Sequence, residues 1–542
     1  MRSIPSRAAA ALLVLPAVVA PAPRLVRGPY LQPAPPGSAL VVWYTSVATE
    51  GRLQWRAEGG TWRDAYSGTE PARRHEIFLD RLHEGSLHRY RVVESGAPLA
   101  NTSGQTEFSF RTPRQESVKL VSWGDSGSGT SAQKALAEAL LEESPSPDLV
   151  LLLGDVVYPN GADAEYDPRF FAPYAPILAR VPFYAAIGNH DYETRRGAAF
   201  LDVFSLPRNG PRGLVPETTY SFERGGALFL VHDSNLEGGE SIASAWHVER
   251  VRESGSRFRI AALHHSPYSS ATNSVTQAVH DLREVFPPLF SKTGIDLVLG
   301  AHDHVYERTR PMGGVVYITS GAGGASMYSR ISTHEYTEVF VGAGARPSYT
   351  VVEVSGPNLL LRQEDSSGCV MDRLGLYKPV GEGDLWRIFR GTAEPPTTWL
   401  LPSFQDRAWT AAQAPLGSGA PDLATSLLDT EEYLSVYART SFALGPGNVS
   451  QALLRLRYDD GFVAYVNGVE VARRNVPVSQ GSRTPASESH SGDFFETFTV
   501  PVSLLRTGTN VLAIEAHNTA DGGDFVLAPE LTLVASEPHR CP

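Results

Sequence analysis

The chain has 542 residues, of which 42% are apolar and 20% charged, an ordinary balance for a globular protein. That length exceeds one hydrophobic core, so roughly two to four domains are expected. A net charge of −12 argues against a nucleic-acid-binding surface, but it says little about a small anionic substrate, because bound cations would dominate the local field.

Residues 1–22 read as an export signal. Arg2 and Arg7 open it, residues 8–19 are largely apolar, and Ala20 and Ala22 offer small-residue cleavage positions. The apolar run is well short of the roughly 20 residues needed to cross a bilayer. A secreted, periplasmic or extracellular chain with no membrane span is therefore expected. Only two cysteines occur, Cys369 and Cys541. In an exported chain they could pair and tie the tail to the central region; two separate thiols are the alternative.

Residues 24–113 carry β-branched and aromatic runs at 39–44 and 87–93, with Gly and Pro between. This spacing predicts a small β-sandwich. Residues 112–116 read as a linker. From 118 the pattern changes. Strands are predicted at 119–123, 149–153, 183–187, 227–231, 258–263, 295–299 and 315–320, and helices at 132–143, 168–178 and 275–290. That alternation predicts a layered α/β domain with loops gathered at the strand ends. Strands at 349–354 and 358–362 close it, with a boundary near 381–386. Residues 386–535 are again all-β. Asn467-Gly468 between the runs 462–466 and 469–472 is a strong hairpin signal.

The most informative stretch is Gly154-Asp155-Val156-Val157-Tyr158. It follows the apolar run 149–153, which reads as a buried parallel strand. A carboxylate there sits at the carboxyl end of a strand, where open α/β sheets place their sites. Four further loops, each after a predicted strand, carry metal-type ligands: Gly124-Asp125-Ser126-Gly127, Gly188-Asn189-His190-Asp191, His264-His265-Ser266-Pro267-Tyr268 and Gly300-Ala301-His302-Asp303-His304. Singly each is weak, since a Gly-Asp pair usually marks a turn and a lone histidine is usually structural. Five in this order point to a metal centre. Adjacent His264 and His265 would alternate across a strand, so at most one is expected to be a ligand.

This order of motifs resembles the calcineurin-like metallophosphoesterases, and Tyr158 inside the second motif makes it similar to the purple acid phosphatases. His302-Asp303-His304-Val305-Tyr306-Glu307-Arg308 is close to that family's closing signature. The stretch Arg27-Gly28-Pro29-Tyr30-Leu31-Gln32 followed by 41–44 resembles the family's N-terminal fibronectin-like domain. The resemblance implies a multidomain chain: an export signal (1–22), a fibronectin type III-like β-sandwich (24–113) and a layered α/β metallophosphoesterase domain (117–363). Residues 386–535, through Tyr458-Asp459-Asp460-Gly461 and Asn467-Gly468, resemble a galactose-binding-like jelly roll; the implied role is carbohydrate or cell-surface binding.

Carried over, the resemblance assigns Asp125, Asp155, Tyr158 and His304 to one metal, typically ferric iron. It assigns Asp155, Asn189, His265 and His302 to a divalent iron, zinc or manganese. His265 is preferred to His264 because the family places this histidine two residues before a proline, here Pro267. The donor chemistry agrees: phenolate and carboxylate suit a trivalent ion, imidazole and amide oxygen a softer divalent one. Two cations roughly 3.5–4 Å apart can clamp a phosphate and supply a metal-bound hydroxide for in-line attack on a phosphate monoester. His190 is the candidate general acid for the leaving alkoxide; orienting a ligand is its alternative role. Asp191 and Asp303 are expected to orient neighbours. Tyr306, Glu307 and Arg308 are either structural or reach substrate, and Gly321-Ala322-Gly323-Gly324 is expected to be a turn at the site edge. A phosphodiesterase or nucleotide hydrolase on the same centre is the first rival reading. A binding protein with a vestigial phosphatase domain is the second.

Overall fold

The computed structural model describes residues 22–538 apart from 69, 237 and 428–431. The expected export signal therefore lies almost wholly outside the described residues. Cys369 is held in a disulfide; Cys541, its expected partner, lies outside them too.

Residues 25–111 form two antiparallel sheets. One holds Leu25–Gln32, Ala39–Thr49 and Ala72–Leu79, and the other is built on Arg52–Ala57 and Leu87–Glu94. Trp43, Leu53, Ile77, Tyr90 and Phe110 fill the space between them. The buried Arg27 guanidinium bonds Asp167 at 2.5 Å and Asp163 at 2.9 Å, docking this unit on the central domain.

The central domain packs two sheets face to face. In the first, Ser117–Trp123, Leu149–Leu152 and Phe183–Ala185 run parallel, and Ser348–Ser355 pairs antiparallel with Ser117–Trp123. In the second, Ala227–His232, Phe258–His265, Leu297–Ala301 and Val316–Ser320 run parallel. Leu120, Val150, Ile260, Leu297 and Ile318 meet between them in one core. Helix Ser131–Glu142 and the helical run 163–178 cover the outer face of the first sheet. Helices Glu240–Glu253 and Gln277–Lys292 cover the second, through Trp246, Val251, Phe286 and Phe290. Strands buried on both faces read as continuous apolar runs, which is why 149–153 was legible.

The C-terminal region is a pair of β-sheets around a core that includes Trp386, Leu454, Phe462 and Ile514. Its hairpin forms as expected, Gly461–Val466 against Val469–Arg474. Asn467 and Gly468 both have positive φ, 52° and 90°, the geometry that Asn-Gly supplies cheaply. This region is continuous with the central domain. Strand Val370–Val380 extends the first sheet and pairs with Phe525–Pro538. Behind that seam lies a buried ion network. Arg455 donates to Asp296 at 2.7 Å, Lys378 lies 2.9 Å from Asp296 and 3.1 Å from Glu530, and Arg259 donates to Glu530 at 2.7 Å. No helix among the described residues is long and apolar enough to cross a membrane.

Candidate metal centre

The five ligand-bearing loops all leave the carboxyl ends of parallel strands, three from the first sheet and two from the second. Backbone geometry there is unusual. Asp125, Asp155 and His302 hold left-handed φ of 58°, 50° and 71°, a conformation that costs a non-glycine residue about 1–3 kcal/mol and clusters at functional sites. Gly154 and Gly188 let the loops meet. A Cβ on Gly154 would fall 2.5 Å from His264 Nδ1, and one on Gly188 only 2.2 Å from the Asp155 carboxylate.

All seven side chains singled out in the sequence converge. The Tyr158 hydroxyl lies 3.1 Å from Asp125 Oδ1 and 3.1 Å from His304 Nε2. Asp125 Oδ2 accepts the His302 backbone N–H at 2.9 Å. Across the cluster, Asp155 Oδ1 lies 3.4 Å from His264 Nε2, and Asn189 Oδ1 lies 3.0 Å from that same nitrogen. The His265 and His302 rings are 4.3 Å apart. Ligand atoms of His264, His265 and His302 all lie within 4.8 Å of one another, as do those of Asp125, Asp155 and His264.

One expectation is corrected. His264 and His265 do not point to opposite faces; both imidazoles enter the cluster, 4.9 Å apart. The cause is a register break between Ala262 and His265 where this strand pairs with Leu297–Ala301. Such an irregularity breaks the strict two-residue alternation.

The donor set fits cations. His264 Nδ1 donates to the Leu153 carbonyl at 2.7 Å and His304 Nδ1 to the Ser326 carbonyl at 2.9 Å. Each ring is thereby fixed with its Nε2 lone pair facing inward. His264 Nε2, Asp155 Oδ1 and Asn189 Oδ1 then face one another as three acceptors, an arrangement that a positive ion satisfies. Burial lowers the His264 and His265 imidazoles to about 3. Burial and the neighbouring imidazoles lower His302 further, and burial lowers His304. All four are neutral, as ligands must be. Burial, then repulsion from Asp155, raises the Asp125 carboxyl well above its ordinary value, and burial raises Asp155. Burial and both carboxylates push the Tyr158 hydroxyl up strongly.

Asp191 is fully buried and accepts three backbone N–H groups, from Val156 at 2.9 Å, Gly188 at 3.0 Å and Val157 at 3.4 Å. Asp303 accepts the Asn273 N–H at 2.8 Å. Tyr306, Glu307 and Arg308 form part of strand Tyr306–Thr309 and are buried. Arg308 and Tyr306 both donate to buried Asp372 at 2.6 Å, and Glu307 accepts from Ser270; these groups hold structure and do not line the opening. The Gly321–Gly324 turn lies against the site, since a Cβ on Gly321 would meet Asp125 Oδ2 at 2.5 Å. His190 is 33% exposed. Its Nδ1 donates to the Pro159 carbonyl at 2.5 Å and its Nε2 lies 3.9 Å from Asp155 Oδ2.

Sequence reasoning missed Ser234, whose hydroxyl lies 2.8 Å from His265 Nδ1. It follows strand Ala227–His232, so the rule that sites sit after strand ends could have found it. It also missed Tyr328 and Asn273, for which no motif signalled a role.

Residues 120–306 match the family model of the calcineurin-like phosphoesterases. The central domain is thus a calcineurin-like metallophosphoesterase domain, and its buried His/Asp cluster can hold metal. The chain is distantly related to plant purple acid phosphatases. It is 27% identical over 322 residues to a probable inactive purple acid phosphatase 1 of Arabidopsis thaliana, covering 49% of this chain and 50% of that one. Purple acid phosphatase 23 of the same plant is 26% identical, with coverage of 46% and 62%. A nucleotide pyrophosphatase/phosphodiesterase of Hordeum vulgare is 25% identical, with coverage of 41% and 74%. The chain thus spans 50% and 62% of the length of the two Arabidopsis relatives. The purple acid phosphatase PPD1 from yellow lupin seeds shares the fold, with a TM-score of 0.53 at 20% identity over 65% of this chain and 73% of that one.

Proposed function

We propose that the chain is a binuclear metallohydrolase acting on phosphate monoesters, of the purple acid phosphatase type. The observation that carries this reading is the convergence of Asp125, Asp155, Tyr158, Asn189, His264, His265, His302 and His304 around one partly open cluster. Asp125, Asp155, Tyr158 and His304 would hold a ferric ion. Asp155, Asn189, His265 and His302 would hold a divalent iron, zinc or manganese, with His264 added by its place beside Asp155 and Asn189. Such a pair supplies Lewis-acid neutralisation of the ester and water activation near neutral pH.

The protein's own groups do the rest. Asp155, reached from both halves of the cluster, keeps the two sets of donors in register. His190 is part-exposed, with no hydrogen bond to its Nε2 among the described residues and Asp155 within 3.9 Å, placed to protonate a leaving alkoxide. The Tyr158 ring, packed at 4.7 Å against the His190 ring, holds it there. The Tyr458-Asp459-Asp460-Gly461 and Asn467-Gly468 motifs support a carbohydrate or cell-surface ligand for the C-terminal region, and the apolar run at residues 8–19 supports export of the chain.

Metal analysis with an absorption spectrum tests the centre. Iron-loaded protein should show a visible tyrosinate charge-transfer band that Tyr158→Phe abolishes; iron-loaded wild type without the band refutes the purple type. Turnover of a monoester and a diester chromogenic substrate separates this reading from its rival. A diesterase is the second reading, because the Hordeum vulgare relative bears that name.

A further inference from the structure

Six side chains in and beside the cluster are part-exposed: Tyr158, Asn189, His190, His302, His304 and Tyr328. Five belong to the ligand-bearing loops. Tyr328 comes from the segment after the Gly321–Gly324 turn. Its ring lies on the His304 imidazole, centroids 4.3 Å apart and planes within 17°.

Three backbone contacts fix it there. The Tyr328 N–H donates to the His304 carbonyl at 3.0 Å, and the Ala343 N–H donates to the Tyr328 carbonyl at 2.8 Å. Gly342 lies so close that a Cβ on it would fall 2.5 Å from the Tyr328 carbonyl oxygen. The upstream chain is pinned as well, by the Ala325 N–H to the Asp125 carbonyl at 2.9 Å. The hydroxyl neighbours the Asn273 amide and feels the Asp125 and Asp155 carboxylates. Asn273 is itself tied to the centre, its side chain donating to the His302 carbonyl at 3.1 Å.

Tyr328 belongs to none of the hydrophobic clusters that build the domain. One ring face is used by His304, and the residue as a whole is part-exposed. The two segments around it also expose apolar side chains, Val275 at 65% and Ile331 at 54%. A part-exposed aromatic ring, its backbone held on both sides, beside a phosphate-clamping centre is suited to the part of the ester that leaves.

We propose that Tyr328 is the specificity-determining residue of the site: it gives a planar aromatic leaving group a surface to pack on, so aryl phosphate esters are preferred to small alkyl ones. This rests on the phosphoesterase reading above. Aromatic packing of this kind corresponds to roughly a 3- to 10-fold effect in affinity.

The test uses the full-length, metal-loaded chain. Binding of phenylphosphonate and methylphosphonate, which are not hydrolysed, is measured by calorimetry for wild type, Tyr328→Phe, Tyr328→Leu and Tyr328→Ala. Wild type and Tyr328→Phe should bind phenylphosphonate about 3- to 10-fold tighter than methylphosphonate. Tyr328→Leu and Tyr328→Ala should lose that preference, with methylphosphonate affinity and metal content held. In turnover, the loss should fall on KM for phenyl phosphate and spare ethyl phosphate. Equal weakening of both phosphonates would overturn the proposal, as would a wild type with no preference. Tyr328→Leu retains bulk if the alanine variant unfolds. Should wild type hydrolyse neither ester, the phosphoesterase reading falls, while the phosphonate measurements still decide the role of Tyr328.

Discussion

The Asp191 carboxylate accepts the Val156 N–H at 2.9 Å, binding the loop that carries Asn189 and His190 to the loop that carries Asp155 and Tyr158. With the Gly188 and Val157 N–H groups, Asp191 satisfies three backbone donors that have no water to turn to. An unsatisfied buried donor costs about 1–3 kcal/mol. Asp191→Ala should therefore lose roughly 2–4 kcal/mol of unfolding free energy, and metal content should fall with it because both loops loosen. Denaturant unfolding and metal analysis of the dialysed variant check this; full metal content in a destabilised variant would limit Asp191 to a folding role.

Arg308 sits in the closing motif beside the metal loop, yet its guanidinium grips Asp372 at 2.6 Å with 1% and 0% side-chain exposure. Truncating one partner of a buried pair strands the other charge, at a cost of about 3–5 kcal/mol. Arg308→Ala should be strongly destabilised, while any folded fraction keeps the wild-type KM. A raised KM at full stability would restore a substrate role.

The candidate site was largely legible because chemistry demanded specific residue types at strand ends, and the strands announced themselves as apolar runs. Asp125, Asp155, Asn189 and the two histidines of 302–304 each follow such a run. The His264–His265 geometry was not legible, because it depends on a local register break and not on composition. Helix Glu240–Glu253 was missed for a related reason: its buried Ala243, Trp246, His247 and Val251 do not make a strong apolar stripe. The shared sheet between the central and C-terminal regions was hidden too. Pairing of Val370–Val380 with Phe525–Pro538 is a contact between strands some 150 residues apart, and no local pattern encodes it.

That seam makes a pH prediction. Burial alone would raise the Glu530 carboxyl, but the positive charges of Arg259, Lys378 and Arg455 outweigh it and hold it down at about 2, against an ordinary 4.5. A carboxylate depressed in the folded state binds fewer protons there than when unfolded. Its contribution is present above pH 4.5 and is lost as pH falls toward 2. The shift corresponds to about 3 kcal/mol. Wild type should exceed Glu530→Gln in stability at neutral pH, and the gap should narrow by about that amount between pH 4.5 and 2. Guanidinium unfolding across that range checks it; a gap independent of pH would remove Glu530 as the titrating group.

His264 and His265 offer the sharpest test of the centre itself. His264 Nε2 faces Asp155 and Asn189, and the His265 ring faces His302. Burial keeps both imidazoles neutral through the whole physiological range, so neither must lose a proton to bind metal. If both coordinate, His264→Ala and His265→Ala should each lower affinity for the second metal of the proposed pair roughly tenfold or more, with the Tyr158 charge-transfer band of the proposed iron-loaded centre retained. Metal titration read by mass spectrometry and absorbance distinguishes them. A variant that keeps two equivalents at wild-type affinity identifies a histidine that only packs against the centre. Should that be His264, its hydrogen bond to the Leu153 carbonyl would be its function, holding the strand end from which Asp155 projects.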